Sequence, residues 1–180
     1  LEFRRVLFRS SRSAAVTPDD VLDRGTQIIE ARLDDQPLVQ ARLLRSVGHA
    51  YLVLGRYEKA RPLFERAIEI HREWLGEEHA EFALSISFLG DLLVLLGHST
   101  EAQRLHERAL DIRLRVLGPE HRTVMWSLRS LASAELVGGN YERARSLYER
   151  ARDLAERTLA PEDLDGATTL YWQAQLAMET

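Results

Sequence analysis

The chain repeats itself every 42 residues, and that period limits what it can fold into. Leu54-Gly55-Arg56-Tyr57-Glu58-Lys59-Ala60 recurs as Leu96-Gly97-His98-Ser99-Thr100-Glu101-Ala102, and again as Gly138-Gly139-Asn140-Tyr141-Glu142-Arg143-Ala144. Residues 54–81 and 96–123 are identical at 12 of 28 positions, where average composition gives about 2 by chance. A period of this size marks an array whose single unit cannot bury its apolar face alone and must stack on the next.

Each unit reads as two helices, a helix A followed by a helix B. In 57–75, Ala60, Leu63, Phe64, Ala67, Ile70 and Leu75 fall near i, i+3, i+4, i+7 spacing, which gathers them on one helical face. Gly76 and Gly118 follow as stops, because glycine takes a left-handed C′ conformation without a Cβ penalty. The third copy has Ala160-Pro161 there, so its turn differs. Thr17-Pro18-Asp19-Asp20 is a helix start, with a hydroxyl N-cap, proline at N1 and acids in the first turn. The pattern predicts helices near 18–33, 37–54, 57–75, 79–96, 99–117, 121–138, 141–159 and 163–178, and therefore an all-α solenoid.

Small residues explain how such helices pack. Gly48, Gly90, Ala132 and Ala174 recur at one place on helix A, and Ala67, Ala109 and Ala151 at one place on helix B. A small side chain lets a neighbouring backbone approach, while Leu, Ile and Phe fill the rest of the seam. Glycine inside a helix costs about 1 kcal/mol relative to alanine, and close crossing is what offsets it. Glu135 breaks the pattern, standing where Tyr51 and Leu93 point inward. A buried, unpaired carboxylate is costly, so a loosened helix end near Gly138-Gly139 is the expectation.

Residues 1–10 fit nothing downstream. They lack the apolar stretch of a signal peptide, and one reverse translation of them resembles a common sequencing-library adapter. The expected organisation is a non-native segment at 1–10, a linker at 11–17 and a helical repeat domain at 18–180 with half units at both ends, as a fragment of a longer protein.

Composition removes other classes. Net charge is −4 with no basic block, so no nucleic-acid footprint is present. No apolar run approaches the roughly 20 residues of a membrane span, so no membrane contact is expected and a cytoplasmic location is. Without cysteine there is no disulfide or thiolate site. The phosphate-loop, dinucleotide and zinc-protease motifs are absent. His79 and His121 sit at helix starts, where local turn hydrogen bonding is expected. His98 and His106 read as surface or packing residues, and no third ligand completes a metal set. No catalytic residue, metal or cofactor is predicted.

The small helix-A residue, the Gly-x-Tyr turn and the paired alanines of helix B resemble the tetratricopeptide repeat. Leu75-Gly76-Glu77-Glu78-His79 and Leu117-Gly118-Pro119-Glu120-His121 resemble its longer, kinesin-light-chain-like variety. The resemblance covers roughly residues 18–180 and implies a right-handed α-solenoid that binds a peptide or partner protein along its concave helix-A face. Carried over residue by residue, that face takes Arg42, Arg45 and His49, then Leu84, Ser87 and Asp91, then Trp126, Arg129 and Ser133, with Tyr171 and Gln175 following. Three arginines against one aspartate, with a tryptophan among them, imply an acidic partner. The chaperone-tail clamp of some family members is not implied, because Arg45 and His49 replace its first pair and Phe88 stands where it needs asparagine. The stretch Val16 to Gly25, with Gln36-Pro37 and Ala41-Arg42-Leu43-Leu44, is similar to segments that follow the catalytic domain of some bacterial serine/threonine kinases. That implies a regulatory piece of a bacterial signalling protein. A structural spacer with an empty groove is the alternative.

Overall fold

A computed structural model describes residues 16–158. Among them are seven helices: α1 (Pro18–Arg32), α2 (Pro37–Val53), α3 (Tyr57–Leu75), α4 (Ala80–Leu95), α5 (Ser99–Leu117), α6 (Arg122–Val137) and α7 (Tyr141–Thr158). The helix expected at 163–178 and the segment 1–10 lie outside the described residues. Each helix packs on its neighbours in sequence, and α2 also touches α4, as α4 touches α6. Direct contacts of that extent do not join α3, α5 and α7. The A helices α2, α4 and α6 therefore lie on the inner side of the stack, and the B helices on the outer.

Two kinds of turn alternate along the chain. From helix A to helix B, the Arg56 N–H donates to the Tyr51 carbonyl at 2.8 Å and the Gly55 N–H to Leu52 at 3.0 Å. His98 with Gly97, and Asn140 with Gly139, repeat this pair of bonds. This is the Schellman arrangement, and Gly55, Gly97 and Gly139 supply its positive φ of 70°, 76° and 77°. From helix B to helix A the stop differs from the expected left-handed cap. Gly76 has φ 79° and ψ 167°, and Gly118 has φ 85° and ψ 162°. These angles form an extended mirror-image conformation that only glycine holds without strain. The chain leaves at full stretch and reaches a histidine N-cap. Nδ1 of His79 accepts from the Glu81 N–H at 3.1 Å, and Nδ1 of His121 from the Thr123 N–H at 3.3 Å.

The core follows the repeat frame. Ala41, Leu44 and Tyr51 of α2 pack with Ala60, Leu63, Phe64, Ala67 and Ile70 of α3. Val124, Met125, Leu128, Leu131 and Ala132 of α6 pack with Leu147, Tyr148, Ala151 and Leu154 of α7. Gly48 lies under Phe64 and Gly90 under His106, so a Cβ at either would approach a ring atom to 2.7 Å. The helix around Glu135 is intact, contrary to the loosened end expected from sequence. The carboxylate is fully buried and is partnered. Gln103 and Asn140 donate to it at 3.0 and 2.8 Å, and Arg143 pairs with it at 3.0 Å. The partners come from α5, the turn and α7, which a reading of helix α6 alone cannot see.

Candidate concave groove

The inner surface carries two polar clusters, one at each junction between A helices. At the α2–α4 junction, Arg45 reaches across and donates to Glu81 at 2.8 Å and to the Ser85 hydroxyl at 3.3 Å. Behind them the buried His71 of α3 meets Ser85 through Nδ1 at 2.8 Å, and its Nε2 lies 4.0 Å from Glu81. Burial works against the charge on Glu81, but the hydrogen bond and charge of Arg45, with Arg42 beyond, hold its carboxyl below the usual range. His71 is pushed down to about 4, first by burial and then by the charge of Arg45, so it is neutral at physiological pH. Phe88 stacks on Phe64 at 5.7 Å, takes His49 edge-on at 5.2 Å, and lies 6.0 Å from the Arg45 guanidinium.

At the α4–α6 junction a cavity of about 340 Å³ is lined by Asp91, Val94, Leu95, Arg129, Ser130, Ser133 and Tyr148. Asp91 projects into it. Its side chain keeps 44% of its exposure, and its position in the cavity wall lets burial push its carboxyl up to about 6. The Ser130 hydrogen bond and the charges of Arg129 and Arg113 act the other way. Beneath it, Nε2 of the buried His106 is 3.5 Å from the Asp91 carboxylate. Burial, followed by the charge of Arg113, lowers His106 to about 4. Ser130 bonds the carboxylate and not the imidazole. A base-activated hydroxyl, which needs nucleophile and imidazole in contact, is not formed here.

The residues expected on this face divide into three groups. Arg42 stands at the rim, its side chain 60% exposed and 3.9 Å from Glu81. Arg129 and Ser133 line the α4–α6 cavity with Asp91. Trp126 is half-buried against the α6–α7 core, with the Arg122 guanidinium 5.0 Å over its ring. Leu84 is half-buried and His49 exposed. Two residues have less to offer. Arg45 keeps only 11% of its side-chain exposure and is taken up by Glu81 and Ser85. Ser87 is buried and returns its hydroxyl to the Ala83 carbonyl at 2.8 Å. Tyr171 and Gln175 lie outside the described residues.

Sequence pattern did not single out the second layer: His71, Ser85, Arg113, Ser127 and Tyr148. The signal was in the period. His71 with Ser85 and Arg113 with Ser127 are the same pair one repeat apart, and the Arg113 guanidinium donates to Ser127 as His71 meets Ser85. Arg113 is 4% exposed, and burial brings it down to about 10. A polar residue recurring on an otherwise apolar helix-B stripe marks contact with the next helix A.

This geometry has known counterparts. The tetratricopeptide repeat family model matches residues 39–115 and 81–157, which covers most of the chain. The chain is a tetratricopeptide-repeat protein. Its fold is similar to BtubC (BKLC) from P. vanneervenii, with a TM-score of 0.75 and 18% identity over 89% of this chain and 64% of that one. It is also similar to a Podosopora anserina protein described as a putative kinesin light chain with nearly identical TPR-like repeats. Two crystal structures of that protein give TM-scores of 0.72 and 0.70, both at 23% identity over 88% of this chain and 75% of that one. No curated protein matches. The tetratricopeptide frame accounts for the 42-residue period, the helix pairs and the inner A-helix surface together. No helix among the described residues is long and apolar enough to cross a membrane, and none of their His, Asp and Glu side chains cluster in a set of three or more that could hold a metal ion.

Proposed function

We propose that this tetratricopeptide array is a non-catalytic scaffold that holds an acidic peptide or partner segment in its concave groove. The supporting observation is the charge of that surface. The guanidinium groups of Arg42, Arg45 and Arg129 face the carboxylates of Glu81 and Asp91, with the buried Arg113 behind them. Glu81 is consumed by Arg45, and Arg129 and the rim Arg42 remain available to a ligand carboxylate. Guanidinium forks match carboxylates in shape as well as charge, and the apolar Val94 and Leu95 beside Asp91 offer contact to an uncharged side chain. Such partly exposed contacts weaken with salt. The similarity of residues 16–25 to segments following kinase domains supports a place in a cytoplasmic bacterial signalling protein, with catalysis residing in another part of the parent chain.

Peptide display against the purified chain tests the reading. Selected peptides should be enriched in Asp and Glu. Their affinity should fall at least tenfold in Arg42→Glu with Arg129→Glu, with far-UV circular dichroism unchanged. Arg45 is a poor probe because its side chain also ties α2 to α4. Selection of basic or uncharged peptides, or indifference to the double reversal, would remove the groove as an acidic-peptide site.

A further inference from the structure

The outer face has a cleft of its own, on the side of the array away from the groove. The B helices α5 and α7 make no extensive contact with each other, and between them lies a cavity of about 410 Å³. Its floor is aliphatic, made by Leu110 and Leu114 of α5, Leu131 of α6 and Leu147 of α7. The lining runs from Glu107 to Leu114 on one wall and from Arg143 to Arg150 on the other. Seven helical steps make each wall about 10 Å long. Glu107 pairs with Arg143, which also holds Glu135, and Asp111 pairs with Arg115. Arg150 is exposed and has no carboxylate partner among the described residues.

One repeat earlier the chain closes the same place itself. Arg108, the counterpart of Arg150, reaches across to Glu78 at 2.7 Å and Glu77 at 3.6 Å. Arg72, the counterpart of Leu114, lays its guanidinium over Phe82 at 5.6 Å. In the α5–α7 cleft Pro119 replaces Glu77, and Glu120, in the place of Glu78, makes no bond to Arg150. Leu114 presents an aliphatic surface where Arg72 presents a charge. These changes open an apolar seat and free a guanidinium beside it, between two helices inside the array. We propose that this cleft docks a segment of a partner protein, which sets a large aliphatic side chain on the leucines and a neighbouring carboxylate on Arg150. The carboxylate follows from the rim charge that the described residues leave unneutralised, because a guanidinium fork matches a carboxylate in shape and charge. A basic segment would instead meet two arginines on the α7 wall, while the acids of the α5 wall are already paired.

Peptide display against the Arg42→Glu, Arg129→Glu variant, whose groove is disabled, separates ligands of the cleft from ligands of the groove. Selected peptides should carry Leu, Ile or Met next to Asp or Glu. Added to that variant, Arg150→Glu should weaken them at least tenfold. Ser146→Trp, which fills the cleft from an exposed position, should separately do the same. Neither change should alter the melting temperature. Selection of no peptide, or of peptides without the aliphatic–acid pair, would overturn the proposal. Loss of binding in only one of the two variants would overturn it as well, since the ligand would then either bypass the cleft or ignore the arginine. Acidic peptides that bind the unaltered protein through Arg42 and Arg129 test the groove alone, whichever result the cleft gives.

Discussion

Gly90 lies directly beneath the imidazole of His106, so close that a Cβ on the glycine would stand 2.7 Å from a ring carbon. One repeat earlier Gly48 lies in the same way beneath Phe64. The ring of His106 is fully buried and cannot swing aside. Gly90→Ala should therefore destabilise the protein by about 1–3 kcal/mol through overpacking, despite the roughly 1 kcal/mol that alanine gains over glycine in a helix. Gly25→Ala, with open space around it, should instead stabilise by about 0.5–1 kcal/mol. Urea denaturation of the two variants separates steric cost from helix propensity, and equal shifts of the same sign would contradict the packing.

Buried neutral histidines set the acid response. His71 and His106 are lowered to about 4 in the folded chain, below the ordinary value near 6.5. Between those values the unfolded chain binds the extra protons, so stability falls as pH drops from about 6.5 toward 4. Each histidine can contribute a slope of up to about 1.4 kcal/mol per pH unit. Asp91, raised to about 6, works in the opposite direction over the lower part of this window, because the folded state takes up its proton first. His106→Phe, which copies Phe64, should flatten the dependence of unfolding free energy on pH. Asp91→Asn should steepen the loss between about pH 6 and 4. Urea titrations at half-unit pH intervals measure both.

Ala109 occupies the helix-B seam at 0% exposure, as do Ala67 and Ala151. Ala109→Leu should lower the denaturation midpoint by an amount worth about 1–3 kcal/mol. An unchanged midpoint would mean that the helical phase is wrong.

Glu135 tests whether a buried charge can be structural. Its earlier counterpart is Leu93, fully buried like it. Area burial alone would make Glu135→Leu stabilising. The substitution removes the acceptor that Gln103, Asn140 and Arg143 share. Arg143 keeps its pairing with Glu107 and Asn140 is exposed to water, but half-buried Gln103 is left with only a long contact to the Ala134 carbonyl at 3.4 Å. A poorly partnered donor costs about 1–3 kcal/mol, so thermal denaturation should show a less stable protein.

Periodicity made the helices legible in the sequence because each depends on a stripe within a single short segment. Gly55 and Gly76 punctuate as glycine must, although the conformation at Gly76 was not the expected one. What pattern reading could not give was the meeting of residues from different helices. Arg45 reads as an available groove arginine until Glu81, 36 positions away, is seen to hold it. Ser87 reads as a polar groove residue until its hydroxyl is seen to serve its own helix. Glu135 reads as a defect until Gln103 and Arg143 approach from α5 and α7. Position on a face follows from the period, whereas availability depends on partners supplied by the next helix.

Ligands of this array should enter along the inner surface. Hydrogen–deuterium exchange with and without a selected acidic peptide reads that surface helix by helix. Exchange should slow in α2, α4 and α6, centred on the segments around Arg42 and Arg129, with α3, α5 and α7 unchanged. Protection confined to α3, α5 and α7 would place the ligand on the outer face and contradict groove binding.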